Sequence, residues 1–279
     1  MEQPPDRARL TAAVSFPDGR RAALSITFDD GRPTQLDFAV PILDRHGVRA
    51  TFYVVPTRIA ERADEWRRAA ATHEIGGHSG VHPVPASRHG PGDDTLEMYT
   101  PARMKAELTR ADDAIETMLG VRPQTYAYPA GFAYVGEGTR AASSVPLVAR
   151  HYVAGRGYRS EFANDPEWCD FAQLQAAHVD GFDGAALGAL VDDAIEQGRW
   201  LILVAHEIDG EGPWSLSSRA LEELCRDATQ RSELWVAAVL DVARHLRAQR
   251  PRRTGAMLRR HLLSVRARLE LTTRKLGRR

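Results

Sequence analysis

Residues 22–31 read Ala22-Ala23-Leu24-Ser25-Ile26-Thr27-Phe28-Asp29-Asp30-Gly31. The run 22–28 has strand length, and Leu24, Ile26 and Phe28 give it a buried face. A buried strand that ends in two adjacent carboxylates sets both at the carboxyl edge of a sheet, where α/β proteins assemble their sites. Asp29 and Asp30 repel one another in a partly dry cleft. A metal ion can neutralise one of them while the other stays free as a base, so the pair suits metal-assisted hydrolysis. An Asp-Gly turn with capping side chains is the plain alternative for the same residues.

Outward from this stretch, apolar runs of strand length alternate with longer segments of helical period, the pattern of βα units and a parallel sheet. Strands are expected at 22–28, 51–55, 125–128, 200–205 and 234–236, and helices at 36–46, 61–72, 102–119, 185–197, 218–229 and 239–247. The stretch 200–205 is continuously apolar, as in a strand buried on both faces. Gly120 and Gly198 follow two of the helices and suit a left-handed close. No internal repeat is present. Residues 131–183 have little period and read as a long loop of the functional kind.

The chain has 279 residues, 43% of them hydrophobic, enough for one catalytic domain of barrel size. We place that domain at 22–250, after an N-terminal extension at 1–21 and before a basic amphipathic tail at 251–279. The 37 basic and 37 acidic residues cancel, which offers no argument for a nucleic-acid partner. The cancellation hides an asymmetry, because residues 250–279 hold 11 Lys and Arg against Glu270 alone, a charge of +10. Leu258, Leu262, Val265, Leu269 and Leu276 form a one-sided stripe in that tail, fit for an anionic membrane surface, the acidic body or a partner chain; a solvated terminus is the plain alternative. Cys169 and Cys225 lie outside any C-x-x-C spacing and read as ordinary thiols. The residues after Met1 do not read as a secretory leader, and no run of about 18 apolar residues occurs. The expectation is a soluble, cytoplasmic protein, with peripheral contact to the inner membrane surface as a role for the tail.

Three further constellations carry chemistry. Glu74-Ile75-Gly76-Gly77-His78-Ser79-Gly80-Val81-His82-Pro83 sets two histidines four residues apart, on one face of a helical turn where they can share a cation. Tyr126-Ala127-Tyr128-Pro129-Ala130-Gly131 makes a sharp bend after a strand, able to leave a backbone N–H aimed at a developing oxyanion. Leu201-Ile202-Leu203-Val204-Ala205-His206 ends a buried strand in a histidine that reads as a general acid or as a satisfied core residue. Each of these alone also fits an ordinary turn, surface or core role.

In this order and at these spacings the four motifs resemble the polysaccharide deacetylase family, the chitooligosaccharide deacetylase homology domain, over about 22–242. The resemblance implies an α/β fold, a distorted (β/α) barrel of about seven strands, followed here by the basic C-terminal helical tail. It implies a divalent metal held by Asp30, His78 and His82. It also implies Asp29 as the base, the backbone N–H of Ala130 as oxyanion donor, and His206 as the acid. Zinc is the first expectation for the metal, with cobalt, nickel or manganese as alternatives. Many members carry Arg where this chain has Ala127; Arg156 and Arg159 are the candidates to fill that gap. The family's Asp and Trp cluster that supports the acid has its nearest echo in Asp165, Trp168 and Asp170, with Asp180, Asp183 and Asp209 as competing partners for His206.

The expected function is removal of an N-acetyl or other small acyl group from an amino sugar or saccharide intermediate. A ring amide, ureide or other small amide on the same fold is the second reading, and a non-catalytic carbohydrate-binding relative the third. His46, His73, His89, His151, His178, His245 and His261 read as structural or surface residues. Trp66, Trp200, Trp214 and Trp235 read as core, although Trp214, in the loop after His206, is placed to stack on a ring.

Overall fold

The structure is a computed structural model and describes residues 14–92, 94–158 and 163–250. The tail at 251–279, residues 1–13 of the N-terminal extension and Arg159 lie outside the described residues. Eight parallel strands form one sheet: β1 (Ala22–Asp30), β2 (Thr51–Val54), β3 (Glu74–Gly77), β4 (Thr125–Ala127), β5 (Ala154–Arg156), β6 (Ala177–His178), β7 (Trp200–Ala205) and β8 (Leu234–Val236). Seven follow one path, β5-β4-β3-β2-β1-β7-β6, as a barrel of about seven strands requires. The eighth, β8, pairs with the start of β1 at Ala22–Leu24, while β2 pairs with its end at Thr27–Asp30.

Between β5 and β6 the chain spans both edges of this arc. Gly155 N–H donates to Phe171 O (2.7 Å) and Leu174 N–H to Gly155 O (2.8 Å), and a few residues later Ala177 and His178 pair with Leu203 and Val204 of β7. The segment therefore closes the sheet irregularly, with hydrogen bonds to both free edges. Every residue of β1 is buried. Its two hydroxyls are satisfied across the sheet, Ser25 donating to Ala237 O (2.8 Å) and Thr27 to Leu203 O (2.7 Å).

The helices of six or more residues are α1 (Val40–Arg45), α2 (Ala63–Ala69), α3 (Pro101–Leu119), α4 (Val145–His151), α5 (Gly184–Gln197), α6 (Ser218–Gln230) and α7 (Val239–Gln249), with single turns at Pro56–Ile59 and Ala86–His89. Thr100, Asp183 and Ser217 cap α3, α5 and α6, each accepting a backbone N–H of the first turn. Gly120 and Gly198 close α3 and α5 in the left-handed region. The expected helix at 36–46 begins instead as a π-turn over Gln35–Ala39, in which Val40 N–H reaches Gln35 O. Pro41 has no N–H to continue an i→i−4 ladder, which explains the wider turn.

The strand β3 was not expected, because Gly76 and Gly77 have poor strand propensity. They are needed for close approach: a Cβ on Gly76 would lie 2.5 Å from the Tyr53 ring. The poorly readable span 131–183 contains β5, α4 and β6, and its strands are too short for a period to show. Phe16 is buried in the same cluster as Trp200 and Leu246, so residues just before β1 pack on the body. No helix among the described residues is long and apolar enough to cross a membrane.

Candidate active site

The carboxyl ends of β1, β3, β4 and β7 surround a cavity of about 310 Å³ whose lining includes Asp29, Asp30, His78, His82, Ala130 and His206. Larger clefts lie elsewhere, one of about 600 Å³ beside Asn164 and Arg199, but among the described residues the groups predicted to act together converge only here. All six predicted site residues are thus brought to one place.

β1 ends abruptly. Asp30 (φ 81°) and Gly31 (φ 69°) are both left-handed, and a Cβ on Gly31 would meet Ile59 at 2.6 Å. The next strand end differs from the expectation: His78 and His82 do not share a helical turn. β3 stops at Gly77, and the chain then loops through two left-handed residues, Ser79 (φ 62°) and His82 (φ 55°). Helical geometry is unavailable because the paired strand directs the backbone outward and the two left-handed residues turn it back. The outcome for the imidazoles is the same, with ring centroids 4.8 Å apart. Glu107 of α3, buried, holds this loop by accepting Gly80 N–H (2.9 Å) and Val81 N–H (3.1 Å), and Ser79 Oγ accepts His82 N–H (2.9 Å). Glu107 is not legible in the sequence, since nothing in a surface helix pattern marks one carboxylate as facing a loop.

Of the six non-glycine residues with positive φ among those described, four are Asp30, Ser79, His82 and Ala130. Such conformations cost about 1–3 kcal/mol each, and their concentration in one cavity is the pattern of a functional site.

Asp30, His78 and His82 each offer one ligand atom, all within 4.8 Å of one another. Asp30 Oδ1 lies 3.7 Å from His78 Nε2 and 3.6 Å from His82 Nε2. That oxygen is buried and ion-paired with Arg58, whose Nη1 is 2.5 Å away. His78 Nδ1 is 2.9 Å from Ala127 O and donates to it, so its Nε2 lone pair faces the gap. Burial pushes the Asp30 carboxyl up, but His78, Arg58, His82 and Arg32 outweigh it and hold the group well below the usual carboxylate range. Burial pushes both histidines down, His82 to about 3 with His78 adding to the effect. An ionised carboxylate and two neutral imidazoles whose ligand atoms converge in this way fit a divalent cation.

Asp29, beside Asp30, is nearly fully buried, with its Oδ2 4.0 Å from His78 Nε2. Its Oδ1 accepts a hydrogen bond from Arg156 Nη2. Arg156 is wholly buried, donates through Nη1 to Gly157 O (2.6 Å) and lies over the Tyr53 ring at 4.8 Å. Arg156 is also the register partner of Ala127 across β4 and β5. The arginine missing at Ala127 is therefore replaced from the neighbouring strand, at the same level of the sheet.

His206 follows β7. Its Nδ1 lies 2.6 Å from Asp180 Oδ2 and its N–H donates to Asp180 Oδ1 (3.0 Å). Burial lowers the His206 pKa, but the Asp180 hydrogen bond and the charges of Asp29, Asp180 and Asp30 raise it above the ordinary value. Burial alone raises that of Asp180, yet its bonds to His178 and His206 hold it below the usual range. Asp180 is thus the partner among the candidates. Asp183 caps α5, and Asp209 accepts Ser218 N–H (2.8 Å). Asp165 pairs with Arg199 at 3.4 Å, away from the cavity.

His178, read from sequence as structural or surface, belongs here too. Its Nε2 is 2.7 Å from Asp180 Oδ2, and its ring lies 5.9 Å from that of His206. It was missed because it lies in the short strand β6, whose register no sequence period reveals. Trp214 is 41% exposed and lines the cavity within 5.5 Å of the His206 ring, so it is a wall of the site and not core. Ala130 (φ 49°) sits in the Pro129–Gly131 turn, and among the described residues its N–H has no backbone acceptor.

Residues 17–145, which carry the first three motifs, match the family whose description is polysaccharide deacetylase. Over this span, a little under half of its length, the chain is similar to the polysaccharide deacetylase family. A structure titled a "putative polysaccharide deacetylase" from Mycobacterium smegmatis superposes with a TM-score of 0.61 at 21% identity, covering 86% of this chain and 95% of that one. Puue allantoinase gives 0.58 at 15%, covering 84% and 92%. A family 4 acetyl xylan esterase from Clostridium thermocellum, in complex with a cobalt ion, gives 0.52 at 19%, covering 79% and 89%. At these identities the likeness is one of fold. The chain spans 8% and 27% of the lengths of the two curated relatives it matches.

Proposed function

We propose that the chain is a metal-dependent hydrolase that removes an acetyl or other small acyl group from the nitrogen of an amino sugar or saccharide intermediate. The observation that carries this reading is the convergence of ligand atoms from Asp30, His78 and His82, all within 4.8 Å of one another, flanked by the pairs Asp29–Arg156 and His206–Asp180. Zinc suits two imidazoles and a carboxylate best, with cobalt, nickel or manganese as alternatives. The chemistry that such an ion supplies when bound is polarisation of a carbonyl and acidification of water.

The protein's own groups supply the rest. Arg156 holds Asp29 Oδ1 and so leaves Oδ2 facing the cation site, where it accepts a proton from the attacking water. The water oxygen bonds to the acyl carbon as the Ala130 N–H donates to the carbonyl oxygen. His206, kept protonated by Asp180, delivers a proton to the nitrogen as the C–N bond breaks; one proton is taken up and one given, and no acyl-enzyme forms. Trp214 offers a face for the sugar ring.

Elemental analysis of the purified protein and acetate release from N-acetylated sugars test this together. Close to one divalent ion per chain is expected, lost in His78→Ala/His82→Ala. Asp29→Asn should keep the ion while turnover falls by about a hundredfold to ten-thousandfold. Full occupancy in the double variant, or undiminished turnover in Asp29→Asn, would sink the reading.

A further inference from the structure

Three arginines line the cavity, where a neutral acylated sugar offers no charge to match them. Arg32 donates to Asp30 Oδ2 through Nε (3.1 Å) and Nη2 (2.8 Å), with Nη1 3.6 Å from Glu207. Arg58 approaches Asp30 Oδ1, and Arg88 is exposed at the rim with no acidic partner among the described residues. The other carboxylates nearby are engaged: Asp29 by Arg156, Asp180 by two histidines, and Glu207 by Thr34 Oγ1 (2.5 Å) and by Arg32, so none of them meets Arg58 or Arg88. Asp30 thus faces two guanidinium groups, and its Oδ1 is the oxygen that also faces His78 and His82. Among the described residues Arg58 meets an acid only at Asp30 Oδ1, through Nη1, so its remaining N–H groups can take a second anion.

We propose that the substrate carries an anionic group, a phosphate ester or a carboxylate, beside its N-acylated ring, and that Arg58 and Arg88 bind it with Arg32 at the inner wall. The forked donors of arginine match either anion, and the cavity of about 310 Å³ holds a single ring with one such group. The proposal rests on the amide-hydrolase reading above and narrows its substrate class.

The test is calorimetric titration of chelator-treated full-length protein with four probes: inorganic phosphate, N-acetylglucosamine, its 6-phosphate, and N-acetylmuramic acid. Inorganic phosphate should bind, and at least one anionic sugar should bind about tenfold or more tighter than the neutral one, the scale of one charge-assisted hydrogen bond. The stronger anionic sugar names the source of the anion. Arg58→Gln and Arg88→Gln should each remove most of that preference, while Arg58→Lys, which keeps the charge and controls for folding, should retain part of it. Equal binding of neutral and anionic sugars, no binding of phosphate, or an unchanged preference in Arg58→Gln/Arg88→Gln would overturn the proposal. Acetate release after metal is restored separates the two readings. Anion preference without cleavage leaves the arginine site standing and defeats the hydrolase, whereas equal cleavage of neutral and anionic sugars does the reverse.

Discussion

Arg156→Met removes a wholly buried guanidinium and keeps most of its length. Three contacts go with it: the hydrogen bond to Asp29, the bond to Gly157 O, and the stacking over Tyr53. Asp29 then stays buried without its countercharge, and breaking a buried pair from one side costs about 3–5 kcal/mol. For a body of this size each kcal/mol moves the melting temperature by about 2–4 °C, so a fall of roughly 6–20 °C is expected by calorimetry. Activity should suffer separately, because Oδ2 of Asp29 faces the cation site only while Oδ1 is held; misplacing such a group by about 1 Å costs on the order of a hundredfold in kcat/KM. Arg156→Lys should recover little, since one ammonium on a flexible stem cannot hold Asp29 and Gly157 O in the same fork. Ala127→Arg/Arg156→Ala returns the arginine to the facing position in register and should turn over faster than Arg156→Ala alone. Unchanged kcat/KM in Arg156→Met, with metal retained and the melting temperature lowered, would refute the link between Arg156 and Asp29 chemistry.

Asp180→Asn should move the alkaline limb of the kcat/KM profile to lower pH: the Asp180 hydrogen bond and charge raise the His206 pKa against its burial, so without them the acid form is lost earlier as pH rises. An alkaline limb that stays in place would detach His206 from proton donation. Glu107→Gln weakens the anchor of the loop that carries His82, and metal affinity, measured by competition with a chelator, should fall by about ten- to a hundredfold, as for groups that orient ligands from behind. Unaltered affinity would mean that the loop holds its shape through Ser79 alone.

Much of this protein is legible in local sequence. The alternation around Leu24, Ile26 and Phe28, the continuous apolar run at 200–205, and the caps and glycines that bound α3 and α5 are all set by residues within a turn or two of each other, so pattern alone placed them. The four motifs located Asp29, Asp30, His78, His82, Ala130 and His206 at strand ends, and strand ends of a parallel sheet share one edge. Local sequence did not reveal which distant residues support them. Arg156 reaches Asp29 across 127 positions, Asp180 reaches His206 across 26, and Glu107 reaches Gly80 across 27. Each pairing depends on register between parallel strands or on the seat of a helix against a loop, and a shift of one residue in a strand would turn every side chain to the other face. His78 and His82 show the division most plainly: their identity was in the sequence, but two left-handed residues and the paired end of β3, settled only when the sheet packs, decide that they meet.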